Sequence, residues 1–533
     1  MTVVTTSPAP VAQPMATPPG TVPDPRAVRE RSLRQRRRAW AQATTEPFDV
    51  AVVGAGINGA TVYHELCERG YRVLLLDRSD FGSGTSQASG MMIWGGILYL
   101  AQCDVRVVRD FCLSRDQMIL EMPSWVKLDP NRYVFRTRHG RGPLTVGAAL
   151  FAYWLLGGRR RARPRFEKEF PERSFLLSAG CGLSILYEEA AVRPSDARFV
   201  AAWILSHDQG PGMALNHCGV VGGSWDRAAG NWVLEVDDRI LGRQGTARAA
   251  SVINAAGCWT DEVNRRFGIT TPWKHVFSKG VFIGFRRYEG HHTVITFENR
   301  RDGDCMGLIP WGPISLWGAT ETLATDLEVS YRPEPVDVRF LLDEWNRQAS
   351  RPVGPTDIMS LRTGARPLAV PRNYDPQRLT LSISRRGIVH PDRERPWISL
   401  FGGKITGCQA VAQSVAEHLA HVSMPSGCRI APVAIDDHAP CNESFPGLAE
   451  PVVAARHAAE REMCWTLDDY LRRRTNVSQW VARRGLGSRD ENLPRIRELA
   501  AFFPGADGGS ASAVVERYRE QVGREHDAVL AAV

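Results

Sequence analysis

The chain has 533 residues, 43% of them hydrophobic and 23% charged, which is enough for two or three globular domains with a sizeable core. Its 66 basic and 58 acidic residues give a formal net charge of +8, an excess too small to indicate nucleic-acid binding by itself. The 11 cysteines form no CxxC pair, which argues against a zinc site, and no apolar run reaches the ~18 residues that a membrane span needs.

The N-terminal segment, residues 1–45, differs in composition from the rest of the chain. Its first 25 residues are rich in Pro, Thr, Ala and Val, which predicts a disordered tail. "RERSLRQRRRAW" follows and predicts a solvated basic helix. Because no apolar segment comes after the arginines, we expect no secretory or twin-arginine signal. Together with the odd number of cysteines, this predicts a protein of the reducing cytoplasm.

Residues 48–80 read as strand, glycine turn, helix and strand. Gly54, Gly56 and Gly59 form the pattern GxGxxG between the first strand and the helix, and Asp77 ends the second strand. Gly54 allows the tight turn, Gly56 lets a pyrophosphate approach the backbone, and Gly59 lets the helix pack closely on the strand. An acidic residue at that distance accepts hydrogen bonds from an adenosine ribose. In this full context the pattern predicts a dinucleotide-binding unit.

An apolar run at residues 144–158, "LTVGAALFAYWLLGG", is followed at once by "RRRARPR". A helix packed on the protein's own core with a solvated basic end is the favoured interpretation. The alternative is a helix that lies in a membrane interface, with the arginines next to anionic headgroups.

Two distant segments indicate which dinucleotide is bound. "SVINAAGCW" is a strand that ends in a turn of small residues, and "WISLFGGKITG" is a strand, a glycine turn and a helix start. In the second segment Gly402, Gly403 and Lys404 begin the helix, where a helix N-terminus and a cation favour negative charge. A site assembled from such distant segments suits a long cofactor, so we predict FAD rather than NAD.

The remaining elements complete the predicted fold. Amphipathic strands are frequent between residues 180 and 330, and a connector rich in turn residues lies near residue 430. After it the pattern is mostly helical. We therefore predict an α/β protein. A Rossmann-like FAD-binding domain is interleaved with a mixed β-sheet substrate domain in residues 46–430, and a helical C-terminal domain occupies residues 431–533.

Residues 48–90 resemble the N-terminal part of the FAD-dependent glycerol-3-phosphate dehydrogenases, a family of D-amino-acid-oxidase-like flavoproteins. The resemblance spans about residues 30–530 and continues through "YEEAAVRPSDARFV", "NAAGCWTDEV", "GLIPWGPISLWGATET", "LRTGARPL", "ISLFGGKITG" and "REMCWTLDDYLRRRT". It implies oxidation of a secondary alcohol by hydride transfer to flavin N5, with the electrons passed to a membrane quinone or to oxygen. It also implies a small anionic substrate and leaves peripheral membrane contact and a homodimer open.

Matching motif positions give the site residues that the resemblance implies. The FAD contacts would be Gly54, Gly56, Gly59, Asp77, Arg78, Gly84, Thr85, Ser86, Gly257 and Gly403. Arg366 would hold the substrate phosphate, Lys404 would lie near flavin and substrate, and Tyr99 and Arg385 would line the site. A planar guanidinium suits bidentate binding of a phosphate or carboxylate, whereas the alternative for Arg366 is a surface ion pair. No metal ligand is predicted.

This chain departs from the family around the substrate. In "SGMMIWGGILYL", Met91 replaces a lysine, Trp94 a histidine and Leu98 an arginine. Phe282 replaces a second histidine, and "GGKITGCQ" has Gly407, Cys408 and Gln409 where the family has threonine, tyrosine and arginine. We explain Gly95 and Gly96 by a backbone that passes close beneath the flavin ring.

These replacements remove basic groups and leave the acceptor of the hydroxyl proton open among Tyr99, His275, Lys404 and water. Three functions follow from the sequence. The first is a dehydrogenase that still uses glycerol 3-phosphate. The second is a relative turned to a more apolar acid, alcohol or amine held by Arg366 and Lys404. The third is a flavin-binding protein without turnover.

Overall fold

The structure, a computed structural model, describes most of residues 24–533. The segments outside the description are 1–23, 98–99, 101–103, 136–139, 178–181, 208–209, 300, 302–303, 325–326, 328–330, 376–382, 384, 428, 432, 436–438, 504 and 506–508. The tail predicted at the N-terminus falls almost entirely in the first of them. Leu98 and Tyr99 also lie outside the described residues, so their predicted roles stay predictions.

The described chain alternates strands and helices up to about residue 430 and is mainly helical after it. The strands are β1 (Pro47–Val53), β2 (Val73–Leu76), β3 (Met92–Ile93), β4 (Val126–Phe135), β5 (Arg165–Glu167), β6 (Leu183–Val192), β7 (Met213–Leu215), β8 (Cys218–Asp226), β9 (Asn231–Asp238), β10 (Arg243–Asn254), β11 (Trp273–Arg286), β12 (Val294–Glu298), β13 (Cys305–Trp311), β14 (Ile314–Gly318), β15 (Thr322–Ala324), β16 (Ile358–Pro371), β17 (Ile388–Pro391), β18 (Trp397–Phe401), β19 (Cys441–Glu443) and β20 (Val452–Val453). The helices are α1 (Pro25–Thr45), α2 (Ile57–Glu68), α3 (Val105–Glu121), α4 (Pro143–Leu156), α5 (Asp196–Leu205), α6 (Thr260–Arg266), α7 (Pro335–Asn346), α8 (Cys408–Ala420), α9 (Ala455–Arg461), α10 (Val477–Trp480), α11 (Leu493–Ala500), α12 (Ala511–Val522) and α13 (Ala528–Ala531).

The first sheet has a parallel centre. Within the described residues its order is β17-β18-β10-β1-β2-β7, with β9 on β10 and β8 on β9. The strands β1, β2, β7, β10 and β18 run parallel, which places their carboxyl ends at one edge. The continuous apolar runs of β1 and β2 suit this position, because helices cover both faces of a parallel sheet.

The second sheet is mixed and mostly antiparallel. Its order in the described chain is β15-β11-β14-β13-β12-β4-β6-β3, with β16 on β11 and β5 on β6. The long pair β11 and β16 brings "SKGVF" opposite "LRTGARPL", with Phe282 opposite Arg362 and Ser278 opposite Arg366. The two sheets and the helical C-terminal region have the predicted architecture, whereas the exact domain boundaries stay predictions.

Helix α1 corrects the prediction of a solvated basic helix. Val28, Ser32, Arg36 and Trp40 recur every fourth residue and form a buried stripe. The Arg36 guanidinium donates to the Asp238 carboxylate at 2.8 Å. One of the adjacent arginines is therefore buried with a counter-ion, because helical spacing turns it toward the protein while its neighbours point away.

Helix α4 packs on the protein through one face. Val146, Leu150 and Tyr153 are buried, whereas Leu144 is 88% and Leu155 is 56% exposed. The buried face therefore agrees with the favoured prediction of a helix packed on the protein's own core. The other face of the helix exposes apolar side chains to solvent. None of the described helices combines the length and apolarity needed to cross a membrane.

A buried ion cluster joins the C-terminal helices to the first sheet. Asp80 accepts hydrogen bonds from the Arg473 Nε at 2.7 Å and from both terminal nitrogens of Arg474 at 2.9 Å. Asn216 donates to the same carboxylate at 2.7 Å. Asp469 accepts from Arg473 at 2.7 Å, which fixes the segment that follows it. The charge run "DDYLRRR" is thus an interior anchor and not a solvated helix face.

Candidate active site

A cavity of about 1920 Å³ lies at the carboxyl edge of the parallel sheet. Its walls are the glycine turn, the polar loop 83–90, the turn 255–259, the turn 402–406 and side chains of the mixed sheet. The predicted site residues that the structure describes, apart from Gly59, therefore meet in one place although they come from segments far apart in the sequence. The predicted cofactor contacts all line this cavity except Gly59.

The glycine turn has the shape that its sequence predicts. Gly54 has a φ of +103°, and a side chain there would lie 2.6 Å from the Ala255 carbonyl oxygen. A side chain at Gly59 would overlap the Gly54 carbonyl oxygen, so Gly59 serves the contact between helix and strand. Gly56 precedes the first turn of α2, and Gly56, Ile57 and Asn58 line the cavity, so the N-terminus of this helix borders it.

Asp77 holds this turn in place. Its carboxylate accepts the Ala55 N–H at 2.7 Å and the Ser79 N–H at 2.8 Å. Burial raises the pKa of Asp77 to about 6. Ser86 performs a similar task from the polar loop, because its hydroxyl oxygen accepts the Ile57 N–H at 3.0 Å.

Aromatic rings form the wall around Gly84 and Gly257. The Arg78 guanidinium lies 4.4 Å from the centre of a Trp259 ring, and Tyr331 stacks on Trp259 at 5.4 Å. A side chain at Gly84 would meet the Trp259 ring at 3.3 Å. This end of the cavity therefore offers flat apolar surfaces beside a cation.

The turn at residues 402–404 is held from two sides. Gly402 donates its N–H to the His275 Nε2 at 2.9 Å, and its carbonyl oxygen accepts from the Asn58 amide at 3.2 Å. Asp261 accepts the His275 backbone N–H at 2.8 Å and lies 3.1 Å from the His275 Nδ1. Because Nε2 accepts a hydrogen bond, the ring proton is on Nδ1 and points to Asp261.

This arrangement removes one candidate for the proton acceptor. The lone pair of His275 Nε2 is already used by Gly402, so His275 cannot take a proton from a substrate without breaking the turn. The suggestion that His275 serves as the base is therefore wrong. His275 positions the turn that carries Lys404.

A cluster of cations faces the cavity from the mixed sheet and this turn. Arg366, Arg385 and Lys404 all line the cavity. The Arg366 guanidinium lies 3.3 Å from the Ser278 hydroxyl and 3.4 Å from the Thr320 carbonyl oxygen, and Arg385 donates to Glu321. Arg366 is thus not part of a surface ion pair.

The charges of this cluster act on one another. Burial and the neighbouring Arg385 lower the pKa of Lys404 to about 7 and that of Arg366 to about 10. Burial raises the pKa of Glu321, but the guanidinium groups of Arg385 and Arg366 outweigh it and the net shift is downward. Arg385 is paired with Glu321, and the cluster carries positive charge that would attract an anion.

Apolar side chains also line the cavity. Trp94 and Phe282 line the cavity, and Phe282 packs with the buried residues Met91, Ile309 and Trp311. The Trp94 Nε1 is buried without a hydrogen-bond partner in the described chain. Two of the positions that differ from the family therefore do border the cavity.

Other differences lie elsewhere. Cys408 is fully buried in the core, and the Gln409 amide donates to Glu121 at 2.8 Å. The prediction that Gly95 is a glycine because its backbone passes beneath the flavin ring is wrong. A side chain there would instead lie 2.5 Å from Arg115 Nη1 and 2.7 Å from Cys112 Sγ. Neither Gly95 nor Gly96 lines the cavity. Packing on a buried arginine explains this glycine.

The sequence did not predict several residues in or beside the cavity. Glu321 follows β14 in "GATET", and Asp261 follows the turn "AAGCW", but neither has a local pattern that marks a role. The C-terminal helices also contribute Arg472, Arg524 and His526 to the wall.

A sequence profile described as FAD dependent oxidoreductase matches residues 49–390, more than half of the chain. The chain belongs to the FAD-dependent oxidoreductase family. It is an FAD-dependent dehydrogenase or oxidase of the glycerol-3-phosphate dehydrogenase-like group, and FAD is its cofactor.

Three relatives illustrate the group. D-erythritol 1-phosphate dehydrogenase of Brucella abortus is 28% identical over 396 residues, which cover 71% of this chain and 75% of the relative. Glycerol-3-phosphate dehydrogenase of Pseudomonas aeruginosa is 30% identical over 387 residues, covering 70% and 72%. The structure of glycerol-3-phosphate dehydrogenase from Bacillus halodurans complexed with FAD has a TM-score of 0.64 at 18% identity, covering 94% of this chain and 98% of that chain.

The residues of this chain fit the cofactor. The glycine turn borders the cavity closely because Gly54 packs without a side chain against the Ala255 backbone, and the N-terminus of α2 also lines the cavity. That end would hold the pyrophosphate, with Asp77 at the adenosine ribose. Gly403, which has a φ of +103°, belongs to the turn beside the cation cluster. The individual contacts stay predictions.

Proposed function

We propose that this enzyme oxidises the secondary alcohol of a small phosphorylated polyol, with glycerol 3-phosphate as the first candidate. The observation that carries the proposal is the cluster of three cations that line the cavity, Arg366, Arg385 and Lys404, of which Arg385 is paired with Glu321. Such an excess of cations suits a dianionic phosphate better than a neutral polyol. Two of the relatives are named for phosphorylated polyols, which supports the same substrate class.

The side chains of this cluster then have separate tasks. Arg366 presents a planar guanidinium for two hydrogen bonds to phosphate oxygens, and Arg385 adds charge while Glu321 orients it. Lys404 is the candidate acceptor of the hydroxyl proton, because a lysine with a pKa of about 7 is partly neutral at physiological pH. FAD, when bound, supplies the hydride acceptor.

Trp94 and Phe282 keep water from the carbinol carbon. They also support a second candidate, a phosphorylated or carboxylated alcohol with a larger apolar part. Burial of an apolar group against these rings is favourable, whereas glycerol 3-phosphate has no apolar group that would cover them. We infer that the electrons leave to a quinone or to oxygen, and that the exposed apolar face of α4 is the place where a membrane would be met.

Anaerobic flavin reduction tests the proposal. The purified protein is mixed with glycerol 3-phosphate, a four-carbon polyol phosphate and a phosphorylated alcohol with an apolar substituent, and unphosphorylated glycerol is the control. We expect bleaching of the flavin band only with a phosphate, and its loss in Arg366→Ala. Arg393→Ala, an exposed arginine, is the matched control and should bleach normally. Bleaching by unphosphorylated alcohols at equal rates would refute the phosphate.

A further inference from the structure

A second group of polar side chains lies outside the cavity, on the helices that flank the parallel sheet. His64 and Glu68 are one turn apart on α2, and His207 follows the end of α5. We call these three residues the His64 cluster. Each offers one ligand atom, and the three atoms lie within 4.8 Å of one another. None of the three lines the cofactor cavity.

The hydrogen bonds of His64 define where its lone pair is. The Ser206 hydroxyl donates to the Trp203 carbonyl oxygen at 2.9 Å, so its oxygen accepts from the His64 Nδ1 at 3.0 Å. With the proton on Nδ1, a neutral His64 directs the lone pair of Nε2 at Glu68, whose carboxylate is 3.3 Å away. Two electron-rich atoms at this distance repel unless a proton or a metal cation lies between them.

The surroundings of His207 also indicate a cation at this place. Its side chain is 1% exposed, and neither ring nitrogen has a hydrogen-bond partner in the described part of the chain. Its ring centre lies 4.6 Å from that of His64. Buried polar atoms normally have partners.

We propose that the His64 cluster binds a divalent transition-metal ion of the zinc class. Its ligands are His64 Nε2, one ring nitrogen of His207 and the Glu68 carboxylate, with water in the remaining position.

Two imidazoles and a carboxylate suit zinc, cobalt or nickel, whereas magnesium and calcium prefer oxygen ligands alone. The Ser206 hydroxyl holds the His64 tautomer, and the Val433 N–H donates to Glu68 at 2.8 Å.

The ion would connect α2 to the turn that follows α5. Helix α2 begins at the glycine turn, and α5 packs against the short turn that contains Thr85 and Ser86. A metal at the far end of α2 would therefore stabilise two elements of the cofactor site without touching the cofactor. Binding to the folded state alone raises stability in proportion to the logarithm of the metal concentration.

Metal titration of the full-length protein with its FAD tests the site. The protein is treated with a chelator, dialysed, and titrated with CoCl₂ by absorption and with ZnCl₂ by calorimetry. We expect one site whose cobalt spectrum shows visible bands without an intense thiolate band, since its ligands are nitrogen and oxygen. The melting temperature should rise with zinc concentration.

Two variants and one control assign the site. His207→Gln and Glu68→Gln should each weaken binding by at least about tenfold. Glu68→Gln keeps an acceptor for the Val433 N–H, so it remains informative if the buried His207→Gln fails to fold. His421→Gln changes an exposed histidine and should bind as the unchanged protein does. A thiolate spectrum, no binding, or equal binding by Glu68→Gln would overturn the proposal, and each readout is independent of the oxidoreductase activity.

Discussion

His275 Nε2 accepts the backbone N–H of Gly402 at 2.9 Å, so a strand of the mixed sheet fixes the turn that carries Lys404. The two residues are 127 positions apart. Asp261 holds the other side of the imidazole through its Nδ1. The position of Lys404 in the cavity thus depends on a chain of hydrogen bonds that runs from Gly402 through His275 to Asp261, in the helix α6 that follows β10.

Replacing His275 by phenylalanine should loosen this turn. Phenylalanine fills similar space but leaves the Gly402 N–H buried without an acceptor, which costs about 1–3 kcal/mol. We expect weaker FAD retention and a lower urea midpoint, measured by flavin fluorescence. His275→Asn, whose amide oxygen can accept, should recover part of the loss. Equal defects in both variants would mean that packing, and not the hydrogen bond, is what His275 supplies.

Gly59→Ala should disrupt the cofactor site indirectly, by displacing the helix that borders it. The added methyl group would overlap the Gly54 carbonyl oxygen, so α2 has to move away from β1. Overpacking of this kind costs about 1–3 kcal/mol, and we expect the protein to purify with less FAD. Gly523→Ala is the control, because nothing lies within 4 Å of a side chain there and alanine favours the helical backbone. Normal FAD content in Gly59→Ala would contradict the geometry.

Asp80→Asn should destabilise the attachment of the C-terminal helices. Asp80 is the shared partner of Arg473 and Arg474, and removing its charge leaves buried guanidinium groups undercompensated. Breaking a buried pair costs about 3–5 kcal/mol, which chemical denaturation detects. Glu169→Gln removes the exposed partner of Arg173 and should cost less than about 1 kcal/mol. Similar midpoints for the two variants would show that the cluster adds little.

Binding of a phosphate dianion should take up a proton at pH 8. The pKa of Lys404 is about 7 in the substrate-free site, so its amine is mostly neutral at pH 8. A bound dianion favours the charged form and raises that pKa, so a proton is taken up and affinity falls as pH rises above 7, by at most about tenfold per unit.

Calorimetry in buffers of different ionisation enthalpy measures this uptake, with inorganic phosphate as the probe. Lys404→Met should bind phosphate without it. Proton release at pH 8, or the same uptake in Lys404→Met, would exclude Lys404 as the titrating group.

Features that depend on neighbouring residues were predictable. The glycine turn, the strands on either side of it and the strand-turn-helix around Lys404 follow from residue types in short segments, and the structure has them where the pattern indicates. The α1 prediction failed in one respect, since the sequence marks Arg36 as a surface charge while Asp238, 202 residues away, makes it a buried one.

The sequence by itself determined the local backbone and the cofactor class, because the torsion angles of Gly54 and the packing at Gly59 are set by the absence of a side chain. Only the tertiary structure decided which charged and polar groups meet. His275 became a positioning residue, and Arg366, Arg385 and Lys404 came to line one cavity, because strand pairing and sheet packing bring distant segments together. The energy of a charge depends on its neighbours in space, and these are fixed only when the whole chain has folded.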